Sequence, residues 1–353
     1  MSFDGKRFVP KPVSHIYKGK TSRIVRVRTK SGRMVSVTPA HKLVRFNSGN
    51  GRFEESPAGR LTVGEYIAVP RKIPAEYASY QEIDPYKFAD ARVVEAQVLD
   101  SVRRTVSYVA KKYGSIKSVA KKLLVPYSTI INFSLGRNRP TVKFVSDLYS
   151  LAGLERPEIN WIKLERHGAN IRVPKRVDAD LAEFLGLLLS DGMIAGREVR
   201  FFNNDRLLLS RYGALLQSLF GLEGSEKRFR TVDGVVARST ALICFLKTFD
   251  FPTRKKSQNS HIPAAILRSP DVVVAAFLRG YYLGDGAFSG REIEFYSAST
   301  KFIEELTYAL SRLGILYSLI RGKREGHRLL ISSQKQISNF VSAVFPEGMK
   351  CNT

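Results

Sequence analysis

Residues 184–192, FLGLLLSDG, and residues 277–286, FLRGYYLGDG, belong to an internal repeat with an offset of 94 residues. Asp191 matches Asp285, Gly196-Arg197-Glu198 matches Gly290-Arg291-Glu292, and Phe201-Phe202 matches Phe295-Tyr296. Further on, Leu216 and Leu219 match Leu310 and Leu313, and segment 252–256 matches 346–350. One pair in register is within reach of chance; five near one offset are not. The period exceeds the roughly 20–50 residues of a solenoid unit. The C-terminal half is therefore two copies of one unit, a pseudo-dimer on a single chain.

Each copy opens with an apolar helix. Asp178 is placed to cap a helix over 179–190, and Ser269 with Pro270 to start one over 270–284. Both helices run into Asp-Gly, so Asp191 and Asp285 fall at helix C-termini, where the negative end of the helix dipole disfavours an anion. Small residues recur at i and i+4, Gly186 with Ser190 and Gly280 with Gly284, a spacing that lets two helix backbones approach closely. An isolated helix of this kind is ordinarily a core helix with a glycine cap. The repeat, the matched small residues and the basic surroundings favour a second reading. Packed side by side in parallel, the helices bring two carboxylates together, and a divalent cation such as Mg²⁺ relieves their repulsion.

The formal net charge of +25 and a pI near 10.1 make a polyanion the expected partner, with nucleic acid first and an acidic membrane surface second. No apolar run approaches the ~20 residues of a membrane span, and no signal peptide opens the chain. Two cysteines, Cys244 and Cys351, leave no disulfide framework or Cys-rich zinc site and fit a reducing cytoplasm.

Before the repeat, the chain changes character twice. Residues 1–75 read as short strands: SRIVRVRT, a turn at Ser31-Gly32, RMVSVTP, and later LTVGEYIAVP, with a glycine-rich loop NSGNGRFEESPAG between. Residues 76–90 read as a linker. Valines at 94, 98, 102, 106 and 109 predict a helix over 91–113, stopped by Gly114. Further helices are predicted over 115–124, 126–135 and in TVKFVSDLYSLAGL, followed by a linker over 155–174. The fold class is α+β.

FLGLLLSDG and FLRGYYLGDG resemble the two signature helices of single-chain LAGLIDADG homing endonucleases, and the likeness extends over about 175–350. The resemblance implies a pseudo-twofold endonuclease of two αββαββα-like repeats, 175–260 and 265–353, with the signature helices at the interface. It implies that Asp191 and Asp285 bind Mg²⁺, or Mn²⁺ as a substitute, at the scissile phosphates. In that family a lysine commonly lies near each acid; Lys256 and Lys350, each 65 residues beyond its aspartate, are the expected pair, with Lys255 a competitor. Hairpins in KRFRTVDGVVARS, turning at Asp233-Gly234, and in LIRGKREGHRLLIS carry Arg228, Arg230, Arg238, Arg321, Lys323, Arg324 and Arg328. By resemblance these sheets saddle the major groove.

SVAKKLLVPYSTIINFSLGRNRP resembles a helix-turn-helix within a domain of 88–156, with Leu124 in place of the usual turn glycine. It offers Lys121, Tyr127, Ser128, Thr129, Asn132 and Arg137 to DNA. The N-terminal strands, residues 1–80, resemble the Hint fold of inteins: VSVTPAHKL matches the motif whose Thr38 and His41 assist the first acyl shift. MSFDGK lacks the intein's first nucleophile, and Cys351-Asn352-Thr353 resembles a degraded splice junction. The expected protein is a splicing-defective intein derivative acting as a monomeric, cytoplasmic, Mg²⁺-dependent endonuclease on a long double-stranded DNA target, without membrane or protein partner. The alternative is a catalytically silent DNA- or RNA-binding protein, a regulator or maturase, on the same scaffold.

Overall fold

A computed structural model describes residues 2–3, 8–9, 11–16, 18–75, 78–165, 168–253, 255–321 and 326–345. The chain divides into two compact units. Met1–Ala78, Ser257–Ile262 and Gly286–Thr353 form one; Ser79–Lys256 and Pro263–Asp285 form the other. Among the described residues no helix is long and apolar enough to cross a membrane.

The first unit opens with antiparallel pairs, β1 (Ser2–Phe3) with β2 (Phe8–Val9) and β3 (Val25–Arg28) with β4 (Met34–Val37). The turn between β3 and β4 lies where Ser31-Gly32 predicts it, closed by Thr29 N–H donating to the Arg33 carbonyl at 2.9 Å. Next, β5 (Lys42–Asn47) pairs with both β6 (Arg52–Pro57) and β7 (Tyr66–Ile67). The expected loop NSGNGRFEESPAG therefore supplies a strand, while LTVGEYIAVP yields two strand residues. β6 lacks apolar alternation. It is held instead by cross-strand ion pairs, Lys42 to Glu55 at 2.9 Å and Arg45 to Glu54 at 2.7 Å.

The second unit begins with β8 (Arg92–Val93) and four helices: α1 (Ala96–Lys112), α2 (Ile116–Lys122), α3 (Tyr127–Ser134) and α4 (Val142–Ala152). The valine stripe forms the buried face of α1, but the helix starts at Ala96 because Arg92 and Val93 are drawn into pairing with β9 (Trp161–Lys163). With β10 (Ile171–Arg172), these make a three-stranded sheet in the order β10-β9-β8. The segments expected as linkers are thus packed: Phe88, Ile159, Ile162, Ile171 and Val173 are buried. Glu95 ties this sheet to α1 by accepting hydrogen bonds from the Asn160 and Trp161 N–H groups. Leu124, in the turn between α2 and α3, takes a left-handed φ of 54° while its side chain is 91% exposed.

The first repeat follows as α5 (Ala179–Asp191), β11 (Gly192–Ala195), β12 (Glu198–Phe202), α6 (Arg206–Phe220), β13 (Ser225–Phe229), β14 (Val232–Arg238) and α7 (Thr240–Lys247), with sheet order β11-β12-β14-β13. Short helices α8 (Lys256–Asn259) and α9 (Ala264–Arg268) lead to α10 (Asp271–Asp285). The second repeat continues as β15 (Gly286–Phe288), β16 (Ile293–Ser297), α11 (Thr300–Arg312), β17 (Ser318–Arg321), β18 (His327–Ile331) and α12 (Gln334–Val344). Its sheet order, β15-β16-β18-β17, mirrors the first. The offset of 94 recurs in three dimensions: Gly192 pairs with Phe201 and Gly286 with Phe295, and the N-cap positions Asp205 and Ser299, then Ser239 and Ser333, stand in the same relation.

In the first hairpin the turn falls at Arg230-Thr231, not at Asp233-Gly234, because Phe229 pairs with Val232 and Arg230 takes a φ of 51°. Gly234 lies inside β14, where a Cβ would press on the Phe201 carbonyl and the Phe202 ring. The tip of the second hairpin, with Lys323 and Arg324, lies outside the described residues, as do Lys350 and Cys351-Asn352-Thr353.

α5 and α10 form the centre of the second unit. Asp178 caps α5 by accepting from Leu181 N–H at 3.0 Å, and every residue from Leu181 to Ser190 is buried, the mark of a helix packed on all sides. α10 starts at Asp271 after Pro270, whose carbonyl accepts from Val273 N–H at 2.9 Å; the Ser269 hydroxyl donates back to Ala265. A Cβ on Gly186 would strike the Phe277 carbonyl, and one on Gly280 the Glu183 carbonyl. Ser190 meets Gly284 one turn later, so the helices run parallel. Nothing in the residue pattern points to the buried ion cluster found here. Glu183 of α5 accepts from Arg279 Nη2 of α10 at 2.7 Å and from Arg211 of α6 at 2.8 and 3.1 Å. Burial alone would raise the Glu183 carboxyl, but the two guanidiniums hold it below its ordinary value.

Two substitutions test this packing by chemical denaturation. Glu183→Gln leaves the buried Arg279 guanidinium short of a counter-charge and Arg211 with Asp180 alone, and is expected to cost about 3–5 kcal/mol. Leu124→Gly removes a strained backbone and no buried side chain, and is expected to stabilise by about 0.5–1 kcal/mol.

Candidate active site

The last residue of α5 is Asp191 and the last of α10 is Asp285. Because the helices are parallel and touch through glycine, their C-termini arrive together. A Cβ on Gly284 would lie 3.0 Å from Asp191 Oδ2 and would collide with the Ser190 side chain. Burial raises both carboxyls above the ordinary 3.8; for Asp285 the neighbouring Asp191 charge adds to the rise. Asp191 is half-buried, whereas Asp285 is the more exposed of the two.

Lys256 stands at the start of α8. Its Nζ donates to the Ser190 carbonyl and, at 2.7 Å, to the Gly192 carbonyl, on either side of Asp191. A cation at this helix end is favourable, since the last carbonyls carry the negative pole of α5. Burial lowers the Lys256 proton affinity, and both aspartates oppose that shift. Lys255, the competing lysine, is exposed with a left-handed φ of 47° and shows no contact with either carboxylate. Lys350, its expected counterpart in the second repeat, falls outside the described residues.

Two further residues touch the carboxylates, and neither was expected from the sequence. Asn203, just beyond β12, donates from Nδ2 to Asp191 Oδ2 at 2.9 Å. Tyr281, four residues before Asp285 on the same face of α10, donates its hydroxyl to the Asp285 carboxylate. Burial, then the Asp285 charge, push the Tyr281 phenol well up. The four-residue spacing was a readable signal for Tyr281. Asn203 had none, because its place depends on how β12 turns into α6.

Donor chemistry suits a hard cation. Asp191 and Asp285 supply two crowded anionic oxygens, and among the described residues no group of three or more His, Cys, Asp or Glu forms a richer ligand set. Mg²⁺ takes one or two carboxylates and fills the rest of its shell with water and phosphate oxygens.

The expected DNA-facing residues are distributed unevenly. Arg228 pairs with Asp233 at 2.9 Å, Arg238 with Glu198 at 2.8 Å, and Arg328 with Glu294 through two hydrogen bonds of 2.5 and 2.7 Å. Their charges are therefore matched on their own sheets, which the pattern of arginines alone did not reveal. Arg230 is exposed at the turn; for Arg321 only the backbone is described. Lys121, Tyr127, Ser128 and Arg137 are exposed around α3, while Thr129 and Asn132 are half-buried.

Residues 272–344 match the family model of a LAGLIDADG-like domain. The chain is similar to an A-type ATP synthase subunit of Pyrococcus abyssi, 29% identical over 340 residues, which are 95% of this chain and 26% of that protein. It is similar to elongation factor 2 of Methanopyrus kandleri, 25% identical over 358 residues, covering 98% and 27%. It is also similar to glutamine–fructose-6-phosphate aminotransferase of Methanocaldococcus jannaschii, 27% identical over 341 residues, covering 92% and 30%. The chain thus spans between 26% and 30% of the length of these curated relatives. Among solved structures it is similar to I-DmoI in complex with DNA and Mn, with 16% identity, 49% of this chain, 99% of that chain and a TM-score of 0.39. It is similar also to the N-terminal LAGLIDADG domain of WhiA, with 18% identity, 49% and 84% coverage and a TM-score of 0.36.

The raised carboxyls have a measurable consequence. A group whose folded pKa lies above its unfolded value binds its proton more tightly in the folded state, so its contribution is lost as pH rises through the folded value. Asp285→Asn is therefore expected to raise Tm at pH 7 in the presence of a chelator. That gain should narrow as pH falls through the raised folded value, where the wild-type carboxyl takes up its proton too.

Proposed function

We propose that this chain is a Mg²⁺-dependent DNA endonuclease of the LAGLIDADG type that cuts both strands of a long, specific duplex and derives from an intein. The observation that carries this reading is the meeting of Asp191 and Asp285 at the ends of two parallel helices, with Lys256 at the start of α8 bound to the C-terminal end of α5. A protein that only binds DNA gains nothing from two crowded carboxylates at the negative poles of helices. The family match at 272–344 and the net charge of +25 support the same reading.

Asp191 and Asp285 would hold the cation. Bound Mg²⁺ supplies Lewis-acid polarisation of the scissile phosphate and a more acidic water. Lys256 places positive charge beside both aspartates, where negative charge develops on the phosphate. Each repeat presents a four-stranded sheet to one half of the target. Its arginines exchange carboxylate partners for phosphates at small cost, since exposed ion pairs are worth only about 0–1 kcal/mol. α2 and α3 act as a helix-turn-helix, with Tyr127, Ser128, Thr129 and Asn132 reading the major groove and Lys121 and Arg137 gripping the backbone. One chain supplies both carboxylates, so the active species is a monomer, and its two cysteines suit a reducing cytoplasm.

The relatives support the intein origin. An elongation factor, an aminotransferase and part of an ATP synthase have no named activity in common, yet each aligns with almost all of this chain over about a quarter of its own length. What they share with this chain is a segment that moves between hosts. The N-terminal strands are then a Hint remnant, with Thr38 and His41 at the turn where His41 N–H donates to the Thr38 carbonyl at 3.0 Å.

The test is cleavage of a randomised or host-derived duplex library in Mg²⁺. Cuts at one long site are expected, falling by roughly 10³-fold or more in Asp191→Ala and Asp285→Ala while binding persists. Tight binding without cuts in Mg²⁺ or Mn²⁺ would overturn the nuclease and leave the DNA- or RNA-binding alternative.

A further inference from the structure

We infer that the two carboxylates are deliberately unequal, with Asn203 the positioning residue of Asp191 and Tyr281 that of Asp285, so that the two DNA strands are cut through separately tuned centres. This rests on the nuclease reading above. Asn203 is fixed at three points: its Nδ2 donates to Asp191 at 2.9 Å, its Oδ1 accepts from Asp205 N–H at 2.9 Å, and its own N–H donates to the Asp233 carbonyl at 3.0 Å. The amide therefore cannot swing, and it holds one Asp191 oxygen in place. The repeat does not preserve this donor. The residue 94 later is Ser297, whose hydroxyl accepts from Ser299 N–H at 3.1 Å as part of the turn into α11.

Tyr281 shows the converse. Its ring is 3% exposed and its hydroxyl donates to Asp285, so a buried ring aims one proton at one carboxylate. Its counterpart in the first repeat is Leu187, fully buried and without a polar atom on its side chain. Lys256 holds the two carbonyls that flank Asp191, while its charge acts on both aspartates. Among the described residues the repeat thus keeps its carboxylates and exchanges the Asn203 and Tyr281 donors beside them. Groups that orient a ligand oxygen set its basicity and aim, and losing one typically costs about 10–100-fold in metal affinity or rate.

Two readouts test this. In the first, an end-labelled target duplex is resolved by strand on a denaturing gel, with Asp191→Asn and Asp285→Asn defining which strand each carboxylate serves. Tyr281→Phe, which keeps the buried ring, is expected to slow the Asp285 strand about 10–100-fold and accumulate nicked DNA. Asn203→Ala is expected to accumulate the opposite nick. In the second, Mn²⁺ uptake is followed by electron paramagnetic resonance on the full chain without DNA, and both variants are expected to bind about 10–100-fold more weakly. Equal slowing of both strands by either variant, or unchanged Mn²⁺ uptake in both, would overturn this inference and leave the nuclease standing. A wild-type protein that neither cuts nor takes up Mn²⁺ would overturn both.

Discussion

Where Gly186 of α5 faces Gly280 of α10, two helix backbones come closer than any side chain permits. Everything at the candidate site follows from that approach. Helices kept apart by ordinary side chains lie roughly 8–10 Å axis to axis, and carboxylates at their ends would be independent surface acids. Glycine at the crossing, with Ser190 against Gly284 one turn on, places Asp191 beside the end of α10. The energetic cost is concentrated there: burial raises both carboxyls, the Asp191 charge adds to the rise at Asp285, and each acid stands at the negative pole of its helix. The burial of nearly every residue of α5 secures the arrangement against that repulsion.

The repeat and its helices were legible in the sequence because they are periodic. An offset of 94 residues survives from the chain to the strand pairing, and the valine stripe of α1 and the cap at Asp178 read directly as helix signals. Segments without a period were missed. β6 is held by ion pairs across the strand rather than by an apolar face, and β9 and β10 bury single residues such as Ile162 and Ile171 inside what reads as a linker. The turn at Arg230-Thr231 defeated the Asp-Gly signal because an arginine accepts the left-handed backbone normally given to glycine.

At the candidate site, the paired aspartates and Lys256 were visible through repetition and equal spacing. Asn203 and Tyr281 were not, because repetition is a poor guide where the two halves differ. The basic residues of the sheets were visible as composition, while their partners were not: whether Arg238 is a loose cation or the partner of Glu198 depends on strand register, and register is set by pairing over distances that the sequence pattern does not encode.

The cluster of Glu183 with Arg279 and Arg211 carries a further consequence. The repeat equivalents of Glu183 and Arg279 are Phe277 and Leu185, so the charges do not obey the pseudo-twofold. A glycine-lined helix of this kind has little in its shape to prevent it from pairing with its own copy. Two α5 helices brought together in the same geometry would bury two carboxylates against leucine, and two α10 helices would bury two guanidiniums against phenylalanine. Each mispairing forfeits the salt link that forms only when unlike helices meet. The ion cluster thus acts as a polarity key, favouring the union of the first half of the chain with the second over association with the same half of another molecule.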